Sequence, residues 1–237
     1  MFHLIGLGLN EKSISLQALE AIKKCKYVFI EEYTVKLPYT KKELEKIVKK
    51  KIISIRREEV ESLHVLLKAK KENVALLVYG APLSATTHIT IIDECIKQKI
   101  PYEIVYNAGV FDGIAQTGLQ LYKFGKTASM PRWQKNYEPD SFMQIIVDNQ
   151  KIHAHSLLLI DPHFSSGDAL SQFEKICKKN NIHLEKIIIC SRLGTKQAKI
   201  FYGRIPQLKT KKILEPFCFI LPAKLHFFEE QFIQRFS

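Results

Sequence analysis

Val74-Ala75-Leu76-Leu77-Val78-Tyr79 is an unbroken apolar run that stops at Gly80-Ala81-Pro82-Leu83 and turns polar through Ser84-Ala85-Thr86-Thr87-His88. A short Val/Leu-rich run without polar alternation fits a strand covered on both faces, as in a parallel sheet. Gly-x-Pro continues neither a ladder nor a helix, so the backbone leaves the sheet there. In open α/β sheets the loops beyond the strands' C-terminal ends, with the N-terminus of the next helix, are where ligands bind. The 80–88 segment is therefore expected to form one wall of a site.

The flanking pattern is one of alternating strands and helices. Phe2 to Leu9 reads as a strand running into a glycine-bearing turn, followed by a helix with Leu16, Leu19 and Ile22 on its apolar side. Gly6-x-Gly8 lacks the third glycine of a dinucleotide fingerprint, Glu11 standing there, and reads as a tight turn. A strand over 27–30, a capping box at Thr40-x-x-Glu43 opening a lysine-rich helix to about residue 50, and a strand over 52–55 follow. Next come a helix over 58–70 with Val60, Leu63 and Leu67 on one face, the 74–79 strand, a helix with Ile89, Ile92 and Ile96, and a strand over 102–106. Such alternation implies right-handed crossovers and a parallel sheet.

The pattern changes after Gly109. Pro131 to Pro139 reads as an exposed connection, and Ser141-x-x-Gln144 as a second capping box. A strand over 156–160 precedes a helix with Leu170, Phe173 and Cys177. Strands over 187–190 and 199–203 flank Leu193-Gly194-Thr195, and one over 217–221 precedes a helix with Leu225, Phe228 and Phe232. Successive strands without a helix between them mean a mixed or antiparallel sheet. The expectation is an α/β protein of two domains, 1–112 with a parallel sheet and 113–237 with a mixed one.

Composition narrows the chemistry. No apolar run nears the roughly 18 residues of a membrane span, and residues 1–6 lack the pattern of a signal peptide, which leads us to expect a cytoplasmic protein without a membrane anchor. The five cysteines show no C-x-x-C spacing and are odd in number, so neither a disulfide framework nor a zinc site is expected. The net charge of +12 favours an acidic partner, although lysines on solvated helix faces account for most of it. The P-loop, HExxH and GxSxG motifs are absent. His88 reads as a capping or packing residue, Asp161 as a turn residue and Cys218, in a Phe-Cys-Phe run, as core.

Leu4-Ile5-Gly6-Leu7-Gly8-Leu9, Glu31-Glu32-Tyr33-Thr34, Gly80-x-Pro82-Leu83-x-Ala85-Thr86-Thr87-His88, Asn107-Ala108 and above all Thr117-Gly118-Leu119-Gln120-Leu121-Tyr122-Lys123-Phe124-Gly125 resemble the diphthine synthases. Those enzymes have the two-domain tetrapyrrole-methylase-like fold and use S-adenosyl-L-methionine. Arg192-Leu193-Gly194 and Glu215-Pro216 extend the likeness more faintly. The resemblance implies a cofactor cleft between the domains, with contacts at Leu9, Ala81, Ser84, Gly109, Val110, Ile160, Leu193 and Cys218. Three positions depart from the family pattern: it usually has aspartate at Ala81, serine at Gly109 and histidine at Cys218.

The implied reaction methylates the amine of a modified histidine on elongation factor 2 until it is a trimethylammonium, giving diphthine. The family likeness also implies a homodimer and no stable nucleic-acid complex. The brief 161–186 segment is closer to archaeal members, which stop at the trimethylated amine, than to eukaryotic ones, which go on to a methyl ester. A same-fold methyltransferase of RNA or a tetrapyrrole, and a binding homologue weakened at Ala81, Gly109 and Cys218, stay open.

Overall fold

A computed structural model describes residues 1–237, which divide into two compact units, Met1–Gly113 and Ile114–Ser237. In the first, β1 (Phe2–Gly6), α1 (Leu16–Lys24), β2 (Tyr27–Glu31), α2 (Lys41–Val48), β3 (Ile53–Ile55), α3 (Arg57–Glu61), α4 (His64–Ala69), β4 (Val74–Val78), α5 (Ile89–Lys97), β5 (Tyr102–Val105) and α6 (Val110–Gly113) follow one another. The five strands pair in parallel in the order β3-β2-β4-β1-β5. Alternate residues of each strand serve opposite faces. Phe2, Leu4, Phe29, Val74, Leu76 and Val78 pack with residues of α3, α4 and α5. Ile5, Val28, Ile30, Ala75, Leu77 and Val105 pack with residues of α1 and α2. All five residues of β4 are buried, as a central strand with helices on both sides requires.

The second unit contains β6 (Ala128–Met130), α7 (Phe142–Lys151), β7 (Ser156–Ile160), α8 (Ser166–Lys179), β8 (Ile187–Ser191), β9 (Lys199–Gly203), α9 (Ile205–Leu208), β10 (Phe217–Leu221) and α10 (Phe227–Ile233). Its sheet has the order β6-β7-β10-β8-β9, with β6 and β7 parallel and the other pairs antiparallel. Phe173, Leu170, Ile146 and Phe142 from the helices meet Leu158, Ile189 and Phe219 of the sheet in one core. Each fully buried Leu, Ile or Phe there contributes about 1.5–3 kcal/mol.

Several local expectations need correction. Residues 58–70 form two short helices, because Leu63 takes a left-handed conformation (φ 59°) between them. The buried helix faces are also rotated from those read off the large aliphatics. Leu16, Leu67, Ile89 and Ile96 are exposed, and Ala18, Ala21, Val65, Leu66, Ala69, Ile91 and Cys95 face the sheets. Small residues allow a helix to approach the sheet closely, so they mark the contact stripe. The Thr40–Glu43 capping box forms, but Ser141 has helical dihedrals and its hydroxyl makes no cap. The last helix starts at Phe227, after Leu225, and buries Glu229 and Ile233 while Phe228 is exposed. Strand β6 carries no signal in its three residues and forms only as the parallel partner of β7.

Candidate active site

In the first unit the C-terminal ends of β4, β1 and β5 lie side by side, and their loops are fastened to one another mainly by backbone. The Gly8 and Gly80 N–H groups each donate to the other's carbonyl, at 3.2 and 3.0 Å. Both glycines have positive φ, +72° and +74°. A Cβ on Gly6 would lie 2.7 Å from the Gly80 oxygen and 2.8 Å from Pro82 Cδ. The Gly6-x-Gly8 pair therefore exists so that two loops can touch, with no nucleotide fingerprint needed to explain it.

Side chains complete the fastening. Asn107 Nδ2 donates to the Gly6 and Ser13 carbonyls (3.1 and 3.0 Å), and Asn107 Oδ1 accepts from the Ala108 N–H. Tyr79 Oη donates to the Leu9 carbonyl at 3.0 Å. Sequence reasoning assigned neither side chain a role; the signal for Asn107 was an Asx residue directly after a strand.

Leu9, Ala81, Ser84 and Gly109 lie in these loops, and Val110 opens α6 directly after them. Ser84 N–H donates to the Ala81 carbonyl at 3.3 Å, and Gly109 N–H to Asp112 Oδ2 at 2.7 Å at the start of α6. A Cβ on Gly109 would sit 3.1 Å from Ala81 Cβ. Ala81 and Gly109 are thus neighbours, and each is small where the other is small. Beyond Gly80, a Cβ would meet nothing nearer than 3.5 Å. These loops are lined by backbone and small side chains, the kind of surface that suits a cofactor bound through main-chain and apolar contacts.

Buried titratable groups flank these loops. Glu31, at the end of β2, is fully buried and accepts from the Thr34 N–H (3.1 Å) and hydroxyl; burial raises its pKa against the pull of those bonds. Tyr33 is pushed up to about 12, by burial first and the Glu31 charge second. Burial also lowers the pKa of His88.

In the second unit, Ile160 of β7, Cys218 of β10 and Leu193, in the turn after β8, collect at one end of the sheet. Cys218 stands directly opposite Cys190 on β8 and Leu159 on β7. By strand alternation Leu159, not Ile160, shares the face of Cys218, and Ile160 packs toward the core. Leu193 lies in a turn where Arg192 and Gly194 have positive φ. This turn is stitched to the 214–216 segment: Arg192 Nε donates to the Glu215 carbonyl (2.7 Å), Arg192 N–H to the Pro216 carbonyl (2.8 Å) and Ser191 Oγ to the Leu214 carbonyl (2.6 Å). Asp161 accepts from the Arg132 N–H at 3.1 Å, as a turn residue does.

The family-specific 117–125 string has a structural task in this unit. Glu229 of α10, fully buried, accepts from Gln120 N–H (2.9 Å), Lys123 Nζ (2.5 Å), His226 N–H (2.8 Å) and His155 Nε2 (3.2 Å). Burial alone would raise its pKa, but these donors together bring it down to about 2. Gly118 (φ +78°) lies against the Phe232 ring, and Gly125 against Asn149.

A cavity of about 570 Å³ lies at the opposite end of the first unit's sheet, with Lys24, Lys26, Lys70, Lys71 and Lys99 among its lining residues. The helices α1, α4 and α5 end there, and lysines at helix C-termini answer the negative end of the dipole; Lys50 donates to the Lys23 and Cys25 carbonyls in this way. The cysteines are all unpaired and buried, and no group of three or more His, Cys, Asp or Glu side chains could hold a metal ion. No helix is long and apolar enough to cross a membrane.

Residues 1–209 match the family of tetrapyrrole (corrin/porphyrin) methylases. The diphthine methyl ester synthase of Schizosaccharomyces pombe is 32% identical over 271 aligned positions, taking in all of this chain and 94% of that protein. The diphthine synthase of Methanococcus maripaludis is 34% identical over 248 positions, 97% of this chain and 96% of that one. Matches of 44–46% identity to other fungal relatives run over 165 residues, so the chain spans about half (55%) of their length. A crystal structure of an Entamoeba histolytica protein superposes with a TM-score of 0.89 at 31% identity, covering 100% of this chain and 98% of that one. The chain belongs to the diphthine synthase family of the tetrapyrrole methylases, the S-adenosylmethionine-dependent methyltransferases of diphthamide biosynthesis.

Proposed function

We propose that this chain transfers methyl groups from S-adenosyl-L-methionine to the amine of the modified histidine of elongation factor 2, making the trimethylammonium of diphthine. The observation that carries the reading is the mutual Gly8–Gly80 backbone bridge, which presents the β1, β4 and β5 loops as one small-residue surface at the sheet's C-terminal end. The cofactor contacts in this reading are Leu9, Ala81, Ser84, Gly109 and Val110 from the first unit and Ile160, Leu193 and Cys218 from the second.

When bound, the cofactor supplies a methyl group on a sulfonium, already a good leaving group. The chain's own part is to align the amine, keep water out and keep the amine unprotonated. An apolar surrounding disfavours the ammonium form. Burial acts in this sense on two side chains beside the loops, pushing the Glu31 pKa up and the His88 pKa down. No dedicated base is needed, since the amine loses its proton to solvent before transfer.

Ending at the trimethylated amine is supported by the compact alignment with the archaeal relative, 248 positions against 271 for the Schizosaccharomyces pombe protein. The higher identity to fungal methyl ester synthases over 165 residues supports a second reading, in which a methyl ester also forms. A homodimer and a cytoplasmic location belong to the same proposal, and light scattering tests the first. The deciding experiment incubates elongation factor 2 carrying the unmethylated intermediate with this chain and isotope-labelled cofactor. Mass spectrometry should show three added methyl groups stable to mild alkali; a fourth, removed by alkali, selects the ester reading, and no incorporation overturns both.

A further inference from the structure

The cavity of about 570 Å³ at the N-terminal ends of the first unit's strands holds more positive charge than its surroundings balance. Five lysines line it, Lys24, Lys26, Lys70, Lys71 and Lys99, against one carboxylate, Glu72, which Lys26 already holds at 2.5 Å. Helices α1, α4 and α5 end there, and each end brings about half a negative charge. Setting those ends and Glu72 against the lysines leaves an excess of roughly two to three positive charges. Nor are the lysines needed as caps. The Lys23 and Cys25 carbonyls accept from Lys50 Nζ, and the Lys24 carbonyl accepts from Asn73 Nδ2 at 3.4 Å. The Ala69 and Glu72 carbonyls accept from the Met1 amine (3.1 and 3.3 Å), and the Cys95 carbonyl from the Ile100 N–H (2.8 Å). The Nζ atoms of Lys24, Lys70, Lys71 and Lys99 have neither an acid nor a carbonyl as partner.

Unpaired lysines around one hollow repel each other, and an anion between them relieves the repulsion. The side chains select the kind of anion. Every cation of the lining is a lysine, a point charge on a flexible stem, with no arginine to fork around a single carboxylate. No aromatic side chain lines the cavity, and the nearby Tyr27 ring is already covered by Lys68 and Lys26, at 4.7 and 5.7 Å, so a base has nothing to stack on. We propose that the cavity is a site for a chain of phosphates, held by Lys70, Lys71 and Lys99 through charge and without regard to base or sequence. It lies at the other end of the strands from the Gly8–Gly80 bridge, about 17 Å away along the five residues of β1. A phosphate chain there and a ligand on the loops therefore do not exclude each other, and the site stands apart from the methyl-transfer reading. Free oligophosphate and the backbone of a nucleic acid offer this same chemistry.

Sodium tripolyphosphate is titrated into the full chain by calorimetry, and fluorophore-labelled duplex RNA is followed by anisotropy, both at low salt. Tripolyphosphate should bind, and Lys71→Glu/Lys99→Glu should weaken it at least about tenfold. Lys211→Glu/Lys212→Glu, an equal charge reversal at exposed lysines of the second unit, should change it less than about twofold. Duplex RNA that binds, is displaced by tripolyphosphate and weakens in the same variant identifies a nucleic-acid backbone as the source of the phosphates; RNA that does not bind leaves the free oligophosphate. Absence of tripolyphosphate binding, equal weakening by the two reversals, or a polyglutamate peptide that binds more tightly than tripolyphosphate overturns the proposal. Lys71 and Lys99 are exposed, so the variant should fold. If it does not, Lys71→Gln/Lys99→Gln replaces it, with an expected loss of about threefold, and unchanged affinity in that pair is equally fatal.

Discussion

The 80–84 loop of the first unit and the 117–125 string of the second are both family signatures, and they are built in opposite ways. The loop is held by backbone: glycine against glycine, with Ala81 and Gly109 offering no polar side-chain atoms. The string is held by one distant side chain, Glu229, whose carboxylate in full burial receives four donors: the Gln120 and His226 backbone N–H groups and the Lys123 and His155 side chains. A backbone-built loop tolerates a change of side chain so long as the chain path survives, and Ala81 and Gly109 are positions where such a change leaves the backbone bridge in place. A carboxylate node tolerates almost nothing, because each donor left behind becomes a buried orphan. Variation is therefore expected to change binding in the first region and stability in the second.

The sharpest way to break the comparison is Glu229→Leu. It strands Lys123, His155 and two backbone N–H groups, and should destabilise the protein by about 3–5 kcal/mol. Urea unfolding followed by the fluorescence of Trp133, the single tryptophan, measures it in the right unit. Loss below about 1 kcal/mol would mean that the node is ornamental.

A matched pair of glycine substitutions comes next. Gly118→Ala forces a Cβ to 2.3 Å from the Phe232 ring at a positive φ, and should lower stability by about 1–3 kcal/mol with the cofactor affinity of the folded protein preserved. Gly6→Ala presses instead on the Gly80 carbonyl and Pro82, parting the two loops. Calorimetry should show cofactor affinity falling more than about tenfold, a loss exceeding 1.4 kcal/mol. If both variants lose stability and affinity in equal measure, the two regions do not differ as described.

Acid sharpens the contrast by sign. Glu229 has a folded pKa of about 2, below its ordinary value, so its contribution is full above about pH 4.5 and is lost as pH falls toward 2. That contribution is on the order of 3 kcal/mol. His155, lowered chiefly by burial, adds a loss that begins higher, as the unfolded histidine takes up its proton near pH 6.5. Glu31 works the other way: its raised pKa means that the fold prefers the protonated acid, and stability falls as pH rises through its folded pKa. Accordingly Glu31→Gln should leave stability at pH 7 within about 1 kcal/mol, while Glu229→Gln should flatten the acid limb of the stability curve. Denaturant midpoints between pH 3 and pH 8 read both.

What was legible in the sequence divides along the same line. The run ending in Gly80-Ala81-Pro82 announced a buried parallel strand and the break that ends it, since buried strands and breakers act through local chemistry. The Thr40–Glu43 box formed for the same reason. The helix faces at Leu67, Ile89 and Ile96 misled, because the stripe that faces a sheet is selected by neighbours through Ala69, Ile91 and Cys95, and no local pattern favoured these over the other apolar residues of the same helices. The 117–125 string was visible as a signature and opaque as a structure: its partner Glu229 lies more than a hundred residues away, and nothing about a glutamate in a Phe-rich helix says that it is buried. Pairing of Leu159 with Cys218 likewise needed the register.

The smallest effect tests whether Ala81 and Gly109 act as one unit. The family's aspartate, placed here by Ala81→Asp, brings a negative charge toward a positively charged cofactor and should tighten binding by about 1–2 kcal/mol if the carboxylate stays partly solvated. Gly109 leaves the space for it, since only a missing Cβ separates the two positions at 3.1 Å. Gly109→Ser alone must push against Ala81 and should weaken binding by about 0.5 kcal/mol. Contact between the sites makes the double variant depart from the sum of the singles, by about 1 kcal/mol, in a direction that calorimetry reports. A favourable coupling means that the serine hydroxyl donates to the new carboxylate and that the family's two residues were lost together here. An unfavourable one means that the loops have closed over the vacated volume. Additivity to within about 0.3–0.5 kcal/mol would show that the two loops, although in contact, do not share the ligand.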